Sequence, residues 1–166
     1  MIEIWTDGGC RPNPGRGGWG VVIKDGETIT KFHGGNQRTT NNRIEFQAVI
    51  EALKRVEPGS EAVVYSDSTL VVNILSGTWR GKRNRDLIEE ARNLIRGRKI
   101  TFRWVRGHNG NRFNEEADAL ATRAIPSRRQ SDSVRRRKPK AREIYQDHSD
   151  PWREPSLAVL MGERIE

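Results

Sequence analysis

A single cysteine, Cys10, stands in the whole sequence, so no internal disulfide can form and a reducing compartment suits the chain. Following two glycines directly, it reads as a small turn residue. No apolar run approaches the roughly 20 residues of a membrane span, and the first residues lack the basic and apolar regions of a signal peptide. A cytoplasmic protein without a membrane role is expected. Internal repeats and heptads are missing too, which leaves a monomer as the default.

What is present bounds the class. With 166 residues, 34% of them hydrophobic and 31% charged, the chain suits one domain with a core and a polar appendage. The net charge of +8 is uneven: residues 1–126 carry +5, residues 127–142 carry +7 and residues 143–166 carry −4. A basic balance favours a polyanionic partner, most often nucleic acid. From residue 127 on, periodicity disappears and Arg, Lys, Ser and Pro dominate as far as Arg142. The expected organisation is a domain over residues 1–126 and a flexible extension over 127–166, basic and then acidic.

Residues 2–9 (Ile-Glu-Ile-Trp-Thr-Asp-Gly-Gly) read as a strand that ends on an acid and two glycines. Residues 11–18, rich in Gly and Pro, read as a loop. Residues 19–24 and 27–33 form a hairpin about Asp25-Gly26. Residues 35–42 are polar, with Asn41 or Asn42 able to cap a helix over 43–56. Its inner face carries Ile44, Ala48, Val49, Ala52, Leu53 and Val56. Continuous apolar residues 62–65 read as a strand buried on both sides. A short helix over 69–75 and a longer one over 85–95 follow, then a strand over 99–105 with Ile100, Phe102 and Trp104 on one face. A helix over 112–125 ends at Pro126. The fold class is α/β: a mixed sheet, three antiparallel strands first, with helices packed on it.

Four acids fall at the core-facing edge of this arrangement. Asp7 ends a strand expected to be central, although an Asp-Gly turn explains it as well. Glu45 lies in line with Val49 and Ala52, although a helix N-terminus favours a carboxylate in any case. Asp67 follows the most buried strand, where open α/β sheets place their ligands; capping the next helix is the other reading. Asp118 flanks the apolar stripe of the last helix. Clustered carboxylates repel and hold protons unless a cation neutralises them. Oxygen ligands without a Cys or His cage favour Mg²⁺ or Mn²⁺, and two such ions suit phosphodiester cleavage. His108, in a glycine-flanked loop before the last helix, is either a surface residue or a proton carrier.

Four motifs occur in order. They are Trp-Thr-Asp-Gly-Gly-Cys-Arg-Pro-Asn-Pro-Gly, Thr-Thr-Asn-Asn-Arg-Ile-Glu, Tyr-Ser-Asp-Ser, and Val-Arg-Gly-His-Asn-Gly with Asn-Glu-Glu-Ala-Asp-Ala-Leu-Ala. Together they resemble type 1 ribonuclease H over residues 1 to about 125. The resemblance implies an RNase H-like fold with a five-stranded mixed sheet. It also implies endonucleolytic cleavage of the RNA strand in RNA–DNA hybrids, leaving 5′-phosphate and 3′-hydroxyl ends. By position, Asp7, Glu45, Asp67 and Asp118 are the implied metal-binding catalytic acids, and His108 assists proton transfer or product release. Gly8, Asn13 and Asn41 would line the hybrid's minor groove, where 2′-hydroxyls mark RNA, and Thr40 with Asn42 would grip a DNA-strand phosphate.

Two departures stand out. Thr69 occupies a position where many bacterial members have a longer Gln that touches substrate. The basic substrate handle of many members is reduced to the few residues around Trp79. The basic extension, with Arg135, Arg136, Arg137 and Lys138 at its centre, is expected to contact phosphates in its place; an idle tail or a protein-docking segment is the alternative. Two other functions compete: a transferase or nuclease acting on DNA, and a hybrid-binding module without catalysis. The minor-groove asparagines argue against the first and the four intact acids against the second.

Overall fold

In the computed structural model, which describes residues 1–128, the chain begins with the strand that becomes the centre of the sheet. β1 (Ile2–Cys10) pairs antiparallel with β2 (Gly15–Asp25) on one side and parallel with β4 (Glu61–Ser66) on the other. β3 (Thr28–Thr39) and β5 (Lys99–Trp104) form the two edges, giving the order β3-β2-β1-β4-β5. The expected five-stranded mixed sheet is present. Residues 129–166, with Arg135, Arg136, Arg137 and Lys138 among them, lie outside the described residues.

Alternation along β1 assigns its side chains to two cores. Ile4 belongs to a large cluster supplied by α1 (Asn41–Leu53), α2 (Thr69–Leu75) and α3 (Arg85–Ile95). Trp5 belongs to a smaller one with Ala117 of α4 (Arg112–Ala124), stacked on Tyr65 and against Phe113. The sheet is thus covered from both sides, as period-2 patterning of a buried strand requires. α1 is buried beyond the expected face: Phe46 and Ile50 are also enclosed, because α2 and α3 pack over the side turned away from the sheet. Each such side chain stabilises the fold by about 1.5–3 kcal/mol.

Several local expectations are corrected. The second half of the glycine-rich stretch is strand: β2 starts at Gly15 and pairs Gly17 and Gly18 with Cys10 and Gly9, then Gly20 with Asp7. The reason is packing. A Cβ on Gly18 or Gly20 would collide with the backbone of Ala121 or Ala117, so α4 can lie on β2 only where side chains are missing. Cys10 is accordingly a buried strand-end residue and not a turn residue. β3 runs on through the polar residues to Thr39, paired to β2 with one register shift between Gly15 and Gly17. α1 starts earlier than expected because Thr40, not an asparagine, is its cap: the Thr40 hydroxyl accepts the amide of Arg43 at 3.3 Å. Trp104 does not join Ile100 and Phe102 in the core. It is 53% exposed at the end of β5.

Candidate metal and nucleic-acid site

The ends of β1 and β4 lie side by side, because the two strands are parallel and in register from Ile2 with Ala62 to Trp5 with Tyr65. Asp7 shares the face of Trp5, toward α4. Glu45 comes from α1 on the opposite layer, and Asp67 follows the last residue of β4. Two of the simpler readings fall here. Glu45 sits beyond the first turn of α1, and the cap of α2 is Ser68, not Asp67.

Asp7, Glu45 and Asp67 each offer an oxygen, and these oxygens all lie within 4.8 Å of one another. Asp118, half-buried on α4, borders Asp7 and Asp67 without joining that tight group. Burial pushes the Asp7 carboxyl up to about 8, and the charge of Asp67 and the contact with Asp118 add to it; the amide of Gly8, donating to Asp7 Oδ1 at 2.9 Å, works against them. Burial also lifts Glu45 to about 7, with Asp67 adding and a hydrogen bond from Ser68 opposing. Asp67 is raised by burial and by Asp118. Among the described residues no Lys or Arg pairs with any of the four acids. Converging carboxylates that hold protons for want of a counter-charge fit a hard divalent cation, and an all-oxygen donor set fits Mg²⁺ or Mn²⁺.

The spacing of the acids is set by small details of packing. A Cβ on Gly8 would come within 2.8 Å of the Ile44 carbonyl and 2.9 Å of the Glu45 amide. Gly8 therefore lets the backbone of α1 press onto β1 and brings Glu45 to Asp7. Gly107 does the same for the loop before α4: a Cβ there would lie 2.7 Å from Asp67 Oδ2. His108, next along, is exposed with φ 52° and close enough for its charge to act on Asp67.

Three residues near the acids escaped the sequence reading. Asn114, 2% exposed, hydrogen-bonds Asp67, while its own Oδ1 is buried without a partner. Ser68 caps α2 and also reaches Glu45. Trp104 donates its indole Nε1–H to the Asp67 carbonyl at 3.0 Å. A signal existed for Asn114, which stands one helical turn before Asp118, beside Ala117 and Ala121 on the buried stripe.

The other expected contact residues ring the N-terminus of α1. Asn13 Oδ1 accepts the Asn41 amide at 3.2 Å, and Asn41 Oδ1 accepts the Cys10 amide at 2.8 Å, so the two asparagines tie the β1–β2 loop to the helix. Asn42 lines a concavity of about 290 Å³ with Trp79, Arg80, Lys82 and Asn84. Thr69 opens α2 and is exposed, its carbonyl accepting from Asn73 at 2.9 Å.

A family model described as RNase H matches residues 1–126. The ribonuclease H of Cupriavidus pinatubonensis is 43% identical over 139 residues, a match covering 76% of this chain and 96% of that protein. The N-terminal RNase H domain of a Mycobacterium tuberculosis protein, solved as a fusion with maltose-binding protein, is 34% identical with a TM-score of 0.69. That alignment covers 79% of this chain and 97% of the other. LC11-RNase H1, solved in complex with an RNA/DNA hybrid, is 32% identical with a TM-score of 0.65, covering 75% and 96%.

Proposed function

The chain belongs to the RNase H family of metal-dependent nucleases, and on that premise we propose that it hydrolyses the RNA strand of RNA–DNA hybrids without regard to sequence. The products are a 5′-phosphate and a 3′-hydroxyl. The observation that carries the reading is the convergence of Asp7, Glu45 and Asp67 within 4.8 Å.

Asp7, Glu45, Asp67 and Asp118 would hold two Mg²⁺ ions, with Mn²⁺ able to substitute. When bound, such ions activate a water and stabilise the leaving oxygen. The rest falls to the protein. Asn114 and Trp104 fix Asp67, through its side chain and its carbonyl respectively. His108, on the exposed loop against Asp67, carries a proton away from the attacking water or toward the leaving 3′-oxygen. Asn13, Asn41 and the backbone at Gly8 face 2′-hydroxyls, so RNA is distinguished from DNA by its sugar. Thr40 and Asn42 hold a DNA-strand phosphate, while Thr69 offers a shorter contact than a glutamine. Such contacts set register and carry no base information.

No helix among the described residues is long and apolar enough to cross a membrane. We place the enzyme in the cytoplasm as a monomer. The basic residues 128–142, with Arg135, Arg136, Arg137 and Lys138, are taken to add phosphate contacts. Removing 127–166 should raise KM and flatten its salt dependence; unchanged values would leave the extension to a protein partner or to no task.

The decisive experiment compares cleavage of labelled hybrid, duplex DNA and duplex RNA with Mg²⁺, alongside Asp67→Asn. Cleavage of hybrid alone, lost in the variant, is expected. Preference for duplex DNA would place the chain with the transferases, and binding of hybrid without cleavage would make it a binding module.

A further inference from the structure

Residues 105–111 join β5 to α4 and carry His108 past Asp67. At the start, the Val105 amide donates to the Ser66 carbonyl at 3.0 Å, which ties the loop to the end of β4. At the other end, the Gly110 amide donates to Glu115 Oε1 at 3.2 Å, which ties it to the first turn of α4. Between these ties the backbone is strained. His108 stands at φ 52°, in the left-handed region that is costly for a residue with a side chain, and Gly110 follows at φ 77°. Gly107 is pressed so closely on the Asp67 carboxylate that a Cβ would lie 2.7 Å from Oδ2. Such a conformation persists only where its surroundings over-determine it.

Two neighbouring acids of α4 have different partners. Glu116 pairs with Lys31 at 2.9 Å and with Arg112 at 3.3 Å. Glu115 forms no ion pair among the described residues and turns back to the Gly110 amide instead. Helix capping does not account for that direction. Asn111 already caps α4, its Oδ1 accepting the Asn114 amide at 3.1 Å, and the amide that Glu115 takes belongs to the loop. The macrodipole favours a carboxylate in a first turn wherever the side chain points. Gly110 is two residues from His108, an arm of about 7 Å of extended chain. Freed at that end, the loop can carry the imidazole well beyond the roughly 3.2 Å over which a proton is passed. The first turn of α4 thus serves the acidic centre twice, Asn114 reaching Asp67 and Glu115 reaching the loop that lies on Asp67.

We propose that Glu115 is a positioning residue: by holding the Gly110 amide it keeps the loop seated against Asp67 and His108 aimed at the reacting phosphate. This rests on the hybrid-cleaving reading above and adds the residue that seats its proton carrier. Glu115 touches no substrate and acts through His108. Losing the latch lets His108 relax out of the left-handed region, which costs turnover and not docking, because Asn13, Thr40, Asn41 and Asn42 stand on other elements.

The test compares, in the full chain, Glu115→Ala, which removes the acceptor, with Glu115→Gln, which keeps an oxygen in its place; the position is exposed, so neither change crowds the fold. Cleavage of labelled hybrid with Mg²⁺ is measured at a temperature where both variants are folded. For Glu115→Ala, kcat should fall about three- to tenfold with KM unchanged, and Glu115→Gln should stay within about twofold of wild type. Introduced into a His108→Ala chain, Glu115→Ala should lower kcat no further. A second readout needs neither metal nor substrate. Solvent exchange of the Gly110 amide, followed by NMR in the metal-free chain, should accelerate about tenfold in Glu115→Ala and little in Glu115→Gln. Wild-type kcat in Glu115→Ala overturns the proposal, as does an equal fall in both variants, a full fall in the His108→Ala chain, or unaltered Gly110 exchange. A role confined to helix stability would move the melting temperature and none of these. If the wild-type chain cuts no hybrid, the proposed function fails, and the Gly110 exchange still decides whether the latch exists.

Discussion

The indole of Trp104 donates to the backbone carbonyl of Asp67 at 3.0 Å, tying the end of β5 to the residue that leaves β4. Ser66 and Trp104 are register partners, so the bond continues the ladder by one side-chain rung exactly where the main chain turns away.

Trp104→Phe keeps the ring and removes the donor. Because the side chain is 53% exposed, the loss of stability should stay near 1 kcal/mol. Activity should fall further than stability, with kcat down roughly three- to tenfold and KM little changed, since a displaced Asp67 affects chemistry more than docking. Steady-state kinetics beside thermal melting checks this. A proportionate change in KM alone would assign Trp104 to substrate binding.

Gly8→Ala inserts a methyl group against the Ile44 carbonyl and the Glu45 amide. Separation of α1 from β1 should destabilise the protein by about 1–3 kcal/mol. Glu45 moves with the helix, so at a temperature where the variant is still folded its kcat should drop by at least tenfold. Native melting and native kcat together would show that the helix accommodates the methyl.

The metal-free protein should lose stability as pH rises. Asp7 goes from 3.8 to about 8 on folding and Glu45 from 4.5 to about 7, so the folded chain holds protons that the unfolded chain has released. Their contribution is fully present below about pH 4 and is lost as pH climbs through 7 to 8. Tm without metal should fall by several degrees between pH 5.5 and 8.5, and Mg²⁺ should restore it, more at the higher pH. Asp7→Asn should flatten the curve. A metal-free Tm that rises over this range contradicts the proposed protonation.

Asn114→Ala removes a donor that helps keep Asp67 ionised. The proton affinity of Asp67 rises, so divalent cation competes less well, and the Mg²⁺ concentration for half-maximal activity should increase about tenfold. Loss of the buried amide should cost about 1–3 kcal/mol in denaturant unfolding. A shift in stability without a shift in Mg²⁺ requirement would limit Asn114 to packing.

Much of the fold was legible because its signals are local. The hairpin, whose turn falls at Gly26 and Glu27, one residue beyond the expected Asp25-Gly26, the apolar residues 62–65 and the helical period of residues 85–95 each state their conformation within one short window. What misled were residues whose conformation is decided by a distant partner. Gly17 and Gly18 read as a loop by composition, yet they are strand, packed so closely on Thr39 and on α4 respectively that only bare backbone fits there. Trp104 alternates correctly with Ile100 and Phe102, but the sheet edge leaves it uncovered. The acids were visible as acids out of place, whereas Asn114 and Ser68 were not, since a neutral side chain in a helix or at a cap has an ordinary explanation at every such position.

Asp7 faces α4 from the sheet, Glu45 belongs to the layer on the other side, and Asp118 rides on the last helix of the described fold. The acidic centre is therefore not a local motif but a property of the finished tertiary structure. A chain truncated before α4 lacks Asp118 and the layer that covers Trp5 beside Asp7, so the set of four acids is complete only when both layers are docked on the sheet.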